Sequence, residues 1–393
     1  MIHFHEGFLY HRKPALIGMD DAQACRLRPG ARCASCRSFA EGKTMRLGVI
    51  PENPLERLVL AAGLVPRPVA ETQLAFTFAR AVMAGVELGF FDALKSQAKT
   101  VEELARERST HPRATEALLN CLVGCDYLAY EDSTRRYSLR PVSRKWLLRD
   151  SPHSLANKMH FQLLEWEYLG QLESFVRSGK PLAMHSSTNA EEWHAYQAGM
   201  ADVGRLSLDE VVLRTPIPKG ARRMLDIGGS GGTYSAAFLR KYPGLRSTIL
   251  DLEAAVAHAR PFVEAHQLGE RLSLVAGDVL GDDLGEGTYD FVFMSMVAHH
   301  FSHEQNLAVA RKVFRALAPG GVFVLQDFER GKRPSPKNQV GALTDLYFAL
   351  TSQSGTWSLE EMRGWLRQGG FSLRRSIKLR TSPGMVQVVG SKA

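Results

Sequence analysis

Five residues set the chemical possibilities of this chain: Gly228, Asp251, Asp278, His299 and Asp327, each at or just beyond the end of a short apolar run. Gly228 opens Gly228-Gly229-Ser230-Gly231-Gly232 directly after Met224-Leu225-Asp226-Ile227. A glycine-rich turn lets backbone amides approach a ligand closely, because no side chain intervenes. Asp251 closes Thr248-Ile249-Leu250, 25 positions after Asp226, which suits a carboxylate that grips two ribose hydroxyls. Asp278 follows Gly277 as a second acid at a strand end, and His299 follows the run 291–297. Each residue also has a plainer reading, with Asp226 or Asp251 as a helix cap, Asp278 in a turn and the histidines solvated on a loop. Five coincident strand ends favour a nucleoside-bearing cofactor, because ligands of open α/β sheets bind outside the carboxyl ends of the strands.

The elements that must hold these groups begin after Pro216 and Pro218, where short apolar runs at 224–227, 248–251, 272–276, 291–297 and 322–325 alternate with helical stretches. Two further runs, 371–379 and 385–389, flank Thr381-Ser382-Pro383-Gly384 and predict an antiparallel hairpin. A sheet for a nicotinamide dinucleotide would instead continue with parallel strands joined by helices.

Upstream, Leu74, Phe78, Val82, Met83, Val86 and Phe90 recur at three- and four-residue steps and predict one helix over 68–94. Thr100 and Glu103 have capping-box spacing, His111-Pro112 leads into a second helix, and 127–130 with 136–139 read as a hairpin. Helix, turn, helix, hairpin is the outline of a winged helix. Between Arg113 and Cys125 the second helix has Arg113 as its one basic residue, too few contacts for phosphates or bases, so packing or dimerisation is expected and no nucleic-acid partner. Residues 145–215 continue as helices, with Trp193, Tyr196 and Met200 available for a core or a pocket wall.

The segments LDIGGSGGTYS, LDLEAAV, VAGDVL, FVFMSMVAHHFSHEQ and LAPGGVFVLQDF resemble the ordered motifs of class I S-adenosylmethionine (SAM) small-molecule O-methyltransferases of the caffeate and hydroxyindole type. GVELGFFDAL and TVEELARERSTHPRATEALLNCLV resemble that family's winged-helix dimerisation domain. The likeness covers roughly residue 54 to the end. It implies an α/β fold: a Rossmann-like seven-stranded sheet with an antiparallel C-terminal hairpin, preceded by an all-α, winged-helix dimerisation domain. It also implies SAM as cofactor, held by Asp226, Gly228, Gly229, Gly232, Asp251, Leu252, Gly277, Asp278, Val279 and Ser295. His299 falls at the position of the catalytic base, and Asp327 is given the orienting role. Where the family usually reads His-Asp-Trp, this chain has His299-His300-Phe301, and Gly355-Thr356-Trp357 replaces a second acid that plant members carry. The expected acceptor is a hydroxylated aromatic or polycyclic small molecule of secondary metabolism, enclosed by Trp193, Tyr196, Met200, Phe348 and Trp357. C- or N-methylation on the same fold, a SAM-sensing winged-helix regulator, and a relative that binds SAM without methyl transfer stand as alternatives.

Four segments follow: 1–44 as a disordered or non-native extension, 45–145 as the dimerisation domain, 146–215 as a helical linker and pocket region, and 216–393 as the SAM-binding domain. Met45 is a candidate natural start. The 393 residues are 45% hydrophobic and 23% charged, an ordinary globular balance. The net charge of +8 comes without clustered basic residues, so it names no partner. No apolar stretch approaches a bilayer span and no signal peptide is legible, so a cytoplasmic protein without a membrane partner is expected. Five cysteines, including Cys33 and Cys36 as a lone C-x-x-C and Cys121 and Cys125 on one helix face, suggest neither disulfides nor a metal site. The apolar run from Leu74 to Phe90 is the expected homodimer face.

Overall fold

The computed structural model describes residues 47–182, 184 and 189–393. The expectations for residues 1–44, Cys33 and Cys36 among them, lie outside the described residues, as does Met45.

The first part of the described chain is helical with one small hairpin. Helix α1 spans Pro54–Ala61, α2 Ala75–Glu87, α3 Val101–Glu107 and α4 Pro112–Gly124, followed by β1 (Leu128–Glu131) and β2 (Arg136–Leu139). Thr100 and Glu103 form the expected capping box at the start of α3, which satisfies backbone N–H groups that have no partner within the helix. The single helix expected over 68–94 is broken: α2 stops at Glu87, and a short turn resumes at Phe90–Ala93 across Gly89, whose φ of +69° is left-handed. The apolar face is divided as well, but ahead of that break, between exposed Phe78 and buried Ala81 within α2. Val86, Phe90 and Phe91 pack with Leu104, Leu119, Leu122, Leu128 and Tyr137 into the core of this region, while Leu74 is 62% and Phe76 50% exposed. Cys121 and Cys125 are half-buried rather than enclosed.

Two long helices lead to the sheet: α5 (Ala156–Leu169) and α6 (Ala190–Arg214), which pack along each other. The sheet then follows as β3 (Arg223–Ile227), α7 (Thr233–Lys241), β4 (Arg246–Asp251), α8 (Glu253–Ala265), β5 (Leu272–Ala276), β6 (Tyr289–Ser295), α9 (His303–Ala316), β7 (Leu317–Phe328), α10 (Gln339–Thr351) and α11 (Leu359–Gln368). It closes with β8 (Ser372–Leu373), β9 (Ile377–Lys378) and β10 (Met385–Ser391). The order is β5-β4-β3-β6-β7-β10-β8, with β9 also on β10. Strands β3 to β7 are parallel, and β10 runs antiparallel to β7. The one strand expected over 371–379 is thus two short ones, both paired with β10.

The central strands are apolar on both faces because helices cover both. One layer joins Val292, Met294, Phe323 and Leu325 to Trp365 and Val309; the other joins Phe291, Phe293, Val322 and Val324 to Phe238 and Val211. No described helix is long and apolar enough to cross a membrane.

Candidate functional site

The carboxyl ends of β3, β4, β5 and β6 open onto one cleft, where ligands of open α/β sheets bind. It is lined by Gly228, Ser230, Asp251, Leu252, Gly277, Asp278 and Val279 from the first three strand ends, by Met296, Val297, His300 and Phe301 after β6, and by Trp193, Tyr196 and Ala255 from α6 and α8. Gly228 is required where it stands: its φ is +68°, and a Cβ there would lie 2.4 Å from the Val297 side chain. A side chain would close the turn onto the opposite wall.

Asp251 is fixed by its surroundings. One oxygen accepts the Ser230 amide and the other the Leu252 amide, both at 2.9 Å. Burial raises its carboxyl above the ordinary range, and the two amides partly offset this by stabilising the anion. The carboxylate therefore joins the glycine turn to the end of β4. Asp278 shapes the neighbouring turn by accepting the Leu280 amide at 2.9 Å.

Several expected residues sit behind this lining rather than on it. Asp226 is buried under the glycine turn, where it accepts the Ser235 hydroxyl at 2.6 Å, and burial pushes its carboxyl up to about 7. Gly229 and Gly232 pack against Asp226 and Ile249. The Ser295 hydroxyl accepts from the Gln326 amide at 2.9 Å, which draws it toward the sheet interior.

His299 and Asp327 are brought together as a buried pair. Imidazole Nδ1 lies 3.1 Å from each Asp327 carboxylate oxygen, and His299 is 3% exposed. With Nδ1 engaged by a carboxylate, Nε2 is the nitrogen left for a reacting group. The His299 ring stacks on Phe348 at 4.0 Å, with 22° between planes, and meets His300 at 4.3 Å. His300 and Phe301, the two departures from the family motif, thus face the cleft, and His299 lies behind them. The Ser302–Gln305 capping box starts α9 immediately afterwards and fixes the exit of this turn.

The expected acceptor wall is dispersed. Trp193 and Tyr196 line the cleft shared with Asp251, with their rings 5.7 Å apart. Met200, one turn further along α6, is part-buried and off that lining. Phe348 covers His299, and Trp357 turns its indole to the Ala298 carbonyl at 3.0 Å. Sequence reasoning did not single out Ser230, Ala255, Met296, Val297, His300 or Phe301 as lining residues. Ser230, inside the glycine turn, carried a usable signal, whereas Ala255 and Met296 depend on how helix and strand pack. Among the described residues no group of His, Cys, Asp and Glu side chains is arranged to hold a metal ion.

Comparison with known proteins bears on this arrangement. Residues 171–372 match the O-methyltransferase domain family and residues 70–149 the O-methyltransferase dimerisation domain. The chain is 25% identical over 321 residues to a mitomycin biosynthesis 6-O-methyltransferase of Streptomyces lavendulae, covering 78% of this chain and 88% of that protein. It is 26% identical over 314 residues to a phenazine-1-carboxylate N-methyltransferase of Pseudomonas aeruginosa, covering 76% and 90%. In fold it is similar to human N-acetylserotonin methyltransferase, solved in complex with SAM, with a TM-score of 0.70, 19% identity and coverage of 87% and 99%.

Proposed function

Because the chain belongs to the O-methyltransferase family, a SAM-dependent methyltransferase with that family's dimerisation domain, we propose that it methylates a hydroxyl on an aromatic or polycyclic small molecule, with His299 as general base. The observation that carries the reading is the buried His299–Asp327 pair mounted directly after the strand whose end borders the cleft.

The cleft suits the cofactor on its own chemistry: a side-chain-free turn at Gly228, a buried carboxylate at Asp251 for ribose hydroxyls, and apolar walls at Leu252, Val279 and Phe301 for an adenine. Bound SAM supplies an electrophilic methyl group on a sulfonium. Gly228, Asp251 and Asp278 would hold the cofactor, and Trp193 and Tyr196 would exclude water from it. Transfer is an in-line displacement, so most of the protein's contribution is alignment. A phenol titrates near pKa ~10 and an ordinary imidazole near ~6.5, so a positioned histidine can take the hydroxyl proton as attack develops, a contribution of about 10²- to 10⁴-fold. Asp327 holds Nδ1 and directs that work to Nε2. The acceptor classes follow from the relatives' names, among them the mitomycin enzyme and a 3-hydroxy-5-methyl-1-naphthoate 3-O-methyltransferase of Streptomyces sahachiroi.

We also infer a homodimer, supported by exposed Leu55, Leu58, Leu64, Val69, Leu74 and Phe76 on α1 and α2 and between them. Exposed large apolar side chains gathered in one stretch of chain suit an association surface.

The test is incubation of the purified protein with SAM and a panel of phenols, naphthols, hydroxyquinones and aromatic N-heterocycles. Formation of S-adenosylhomocysteine with an oxygen-methylated product is expected. Methylation confined to ring nitrogen, or SAM binding without turnover on any acceptor, would overturn the reading.

A further inference from the structure

The segment between α10 and α11 grips the backbone on which the His299 imidazole is mounted. Trp357 Nε1 donates to the Ala298 carbonyl at 3.0 Å, and the Ser354 amide donates to the His299 carbonyl at 3.3 Å. From the other side the Asn306 side-chain amide reaches the same Ala298 carbonyl at 2.9 Å. Trp357 is itself immobilised: its ring meets Trp365 edge-on at 5.1 Å, the Arg330 guanidinium lies 5.7 Å over its face, and its carbonyl accepts the Arg330 amide at 2.9 Å.

One residue earlier, Thr356 gives both its amide, at 2.8 Å, and its hydroxyl to a single oxygen of Asp345. Asp345 belongs to α10, the helix whose Phe348 stacks on the His299 ring. One carboxylate on α10 therefore ties the loop holding the base's backbone to the helix covering the base's face. The stretch Gly355-Thr356-Trp357 stands where the resemblance places a second acid, and here its bonds go to the base's support instead of to its ring.

We propose that Asp345, Thr356 and Trp357 are positioning residues for His299, fixing its backbone so that Nδ1 stays on Asp327 and Nε2 stays available to the acceptor. The proposal rests on the reading of His299 as the base. A misplacement on the order of 1 Å at a reacting group costs about 10²-fold in rate, so a bond that sets the base's backbone acts on turnover without touching the cofactor.

The experiment uses Trp357→Phe, which removes the N–H and keeps a ring, together with Asp345→Ala and Asp345→Asn. Three quantities are measured: turnover on the best acceptor of the panel, SAM affinity by calorimetry, and the downfield proton resonance of the Nδ1–H to carboxylate bond in the S-adenosylhomocysteine complex. That resonance is identified by its loss in His299→Gln. Trp357→Phe and Asp345→Ala are expected to lower kcat about tenfold or more, to leave SAM affinity within about twofold, and to broaden or remove the resonance. Asp345→Asn, which keeps an acceptor oxygen, restores most of both signals. A resonance and kcat unchanged in Trp357→Phe would overturn the proposal, as would a wild-type spectrum without the resonance or a parallel loss of SAM affinity. If His299→Gln itself keeps full turnover, the base reading fails and the proposal with it; an inactive His299→Gln beside a fully active Trp357→Phe defeats the proposal alone.

Discussion

Asp327 holds His299 at two places at once: its carboxylate oxygens lie 3.1 Å from the ring Nδ1, and one of them also accepts the His299 backbone amide at 3.3 Å. A ring tethered by side chain and backbone to one carboxylate has little freedom to rotate. The carboxylate is in turn anchored by the Phe328 amide at 2.8 Å.

Replacing Asp327 with Asn keeps the shape but offers Nδ1 a neutral partner that can also present the wrong hydrogen-bonding group. Asp327→Asn is expected to lower kcat by about 10²-fold or more with SAM affinity nearly unchanged. Steady-state kinetics beside a calorimetric titration check it; a kcat within twofold of wild type would remove Asp327 from the mechanism.

Asp251 predicts the opposite split. Asp251→Ala removes the expected ribose contact and releases the Ser230 amide that shapes the glycine turn, so SAM and S-adenosylhomocysteine should both bind at least about tenfold more weakly, the loss of one charge-assisted hydrogen bond. Equal Kd values in wild type and variant would refute the ribose role.

The contrast between these two aspartates shows what could be read from the sequence. Asp251 and Asp278 were legible because a run of apolar residues fixes where a strand ends, and ligands of such sheets meet those ends. Asp226, two residues before the glycine turn, looked equally exposed to a ligand, yet its strand buries it beneath the turn. Trp193 and Tyr196 were legible as aromatic residues on a helix, but which cleft they wall depends on how α6 crosses the sheet. The support given by Asp345 left no local signal, since its partner Thr356 lies eleven residues away across a loop.

Asp226 should make stability depend on pH. Burial holds its folded carboxyl near 7, above the ordinary 3.8, so the folded protein keeps a proton that the unfolded chain releases. Its contribution is therefore full below the unfolded value and is lost as pH rises through about 7. Asp226→Asn cannot ionise, and its melting temperature should gain on wild type as pH rises from the unfolded value of 3.8 to about 7 and hold that gain above it. Parallel melting curves across that range would contradict the assignment.

Glu210 should act at the acid end. Burial alone would raise it, but the amides of Thr381 and Arg380, the Thr381 hydroxyl and Arg214 outweigh that and hold it at about 2. Its stabilisation is present above the unfolded value near 4.5 and is lost as pH falls toward 2. Glu210→Gln should lower the urea midpoint at neutral pH by the equivalent of roughly 1–3 kcal/mol, with the gap to wild type narrowing below pH 4.5. A gap that stays constant to acid pH would show that the charge contributes nothing.

Helix α6 runs unbroken for 25 residues, carrying Trp193 and Tyr196 near its start and Glu210, clasped to the terminal hairpin, near its end. At about 1.5 Å per residue, Tyr196 and Glu210 stand roughly 20 Å apart along one rod. A lever of that length magnifies angles: a tilt of ~3° at the hairpin end displaces the aromatic end by about 1 Å. Sequence drift in the hairpin, far from any reacting atom, would thus reach the doorway of the cleft through the inclination of a rod rather than through any shared neighbour.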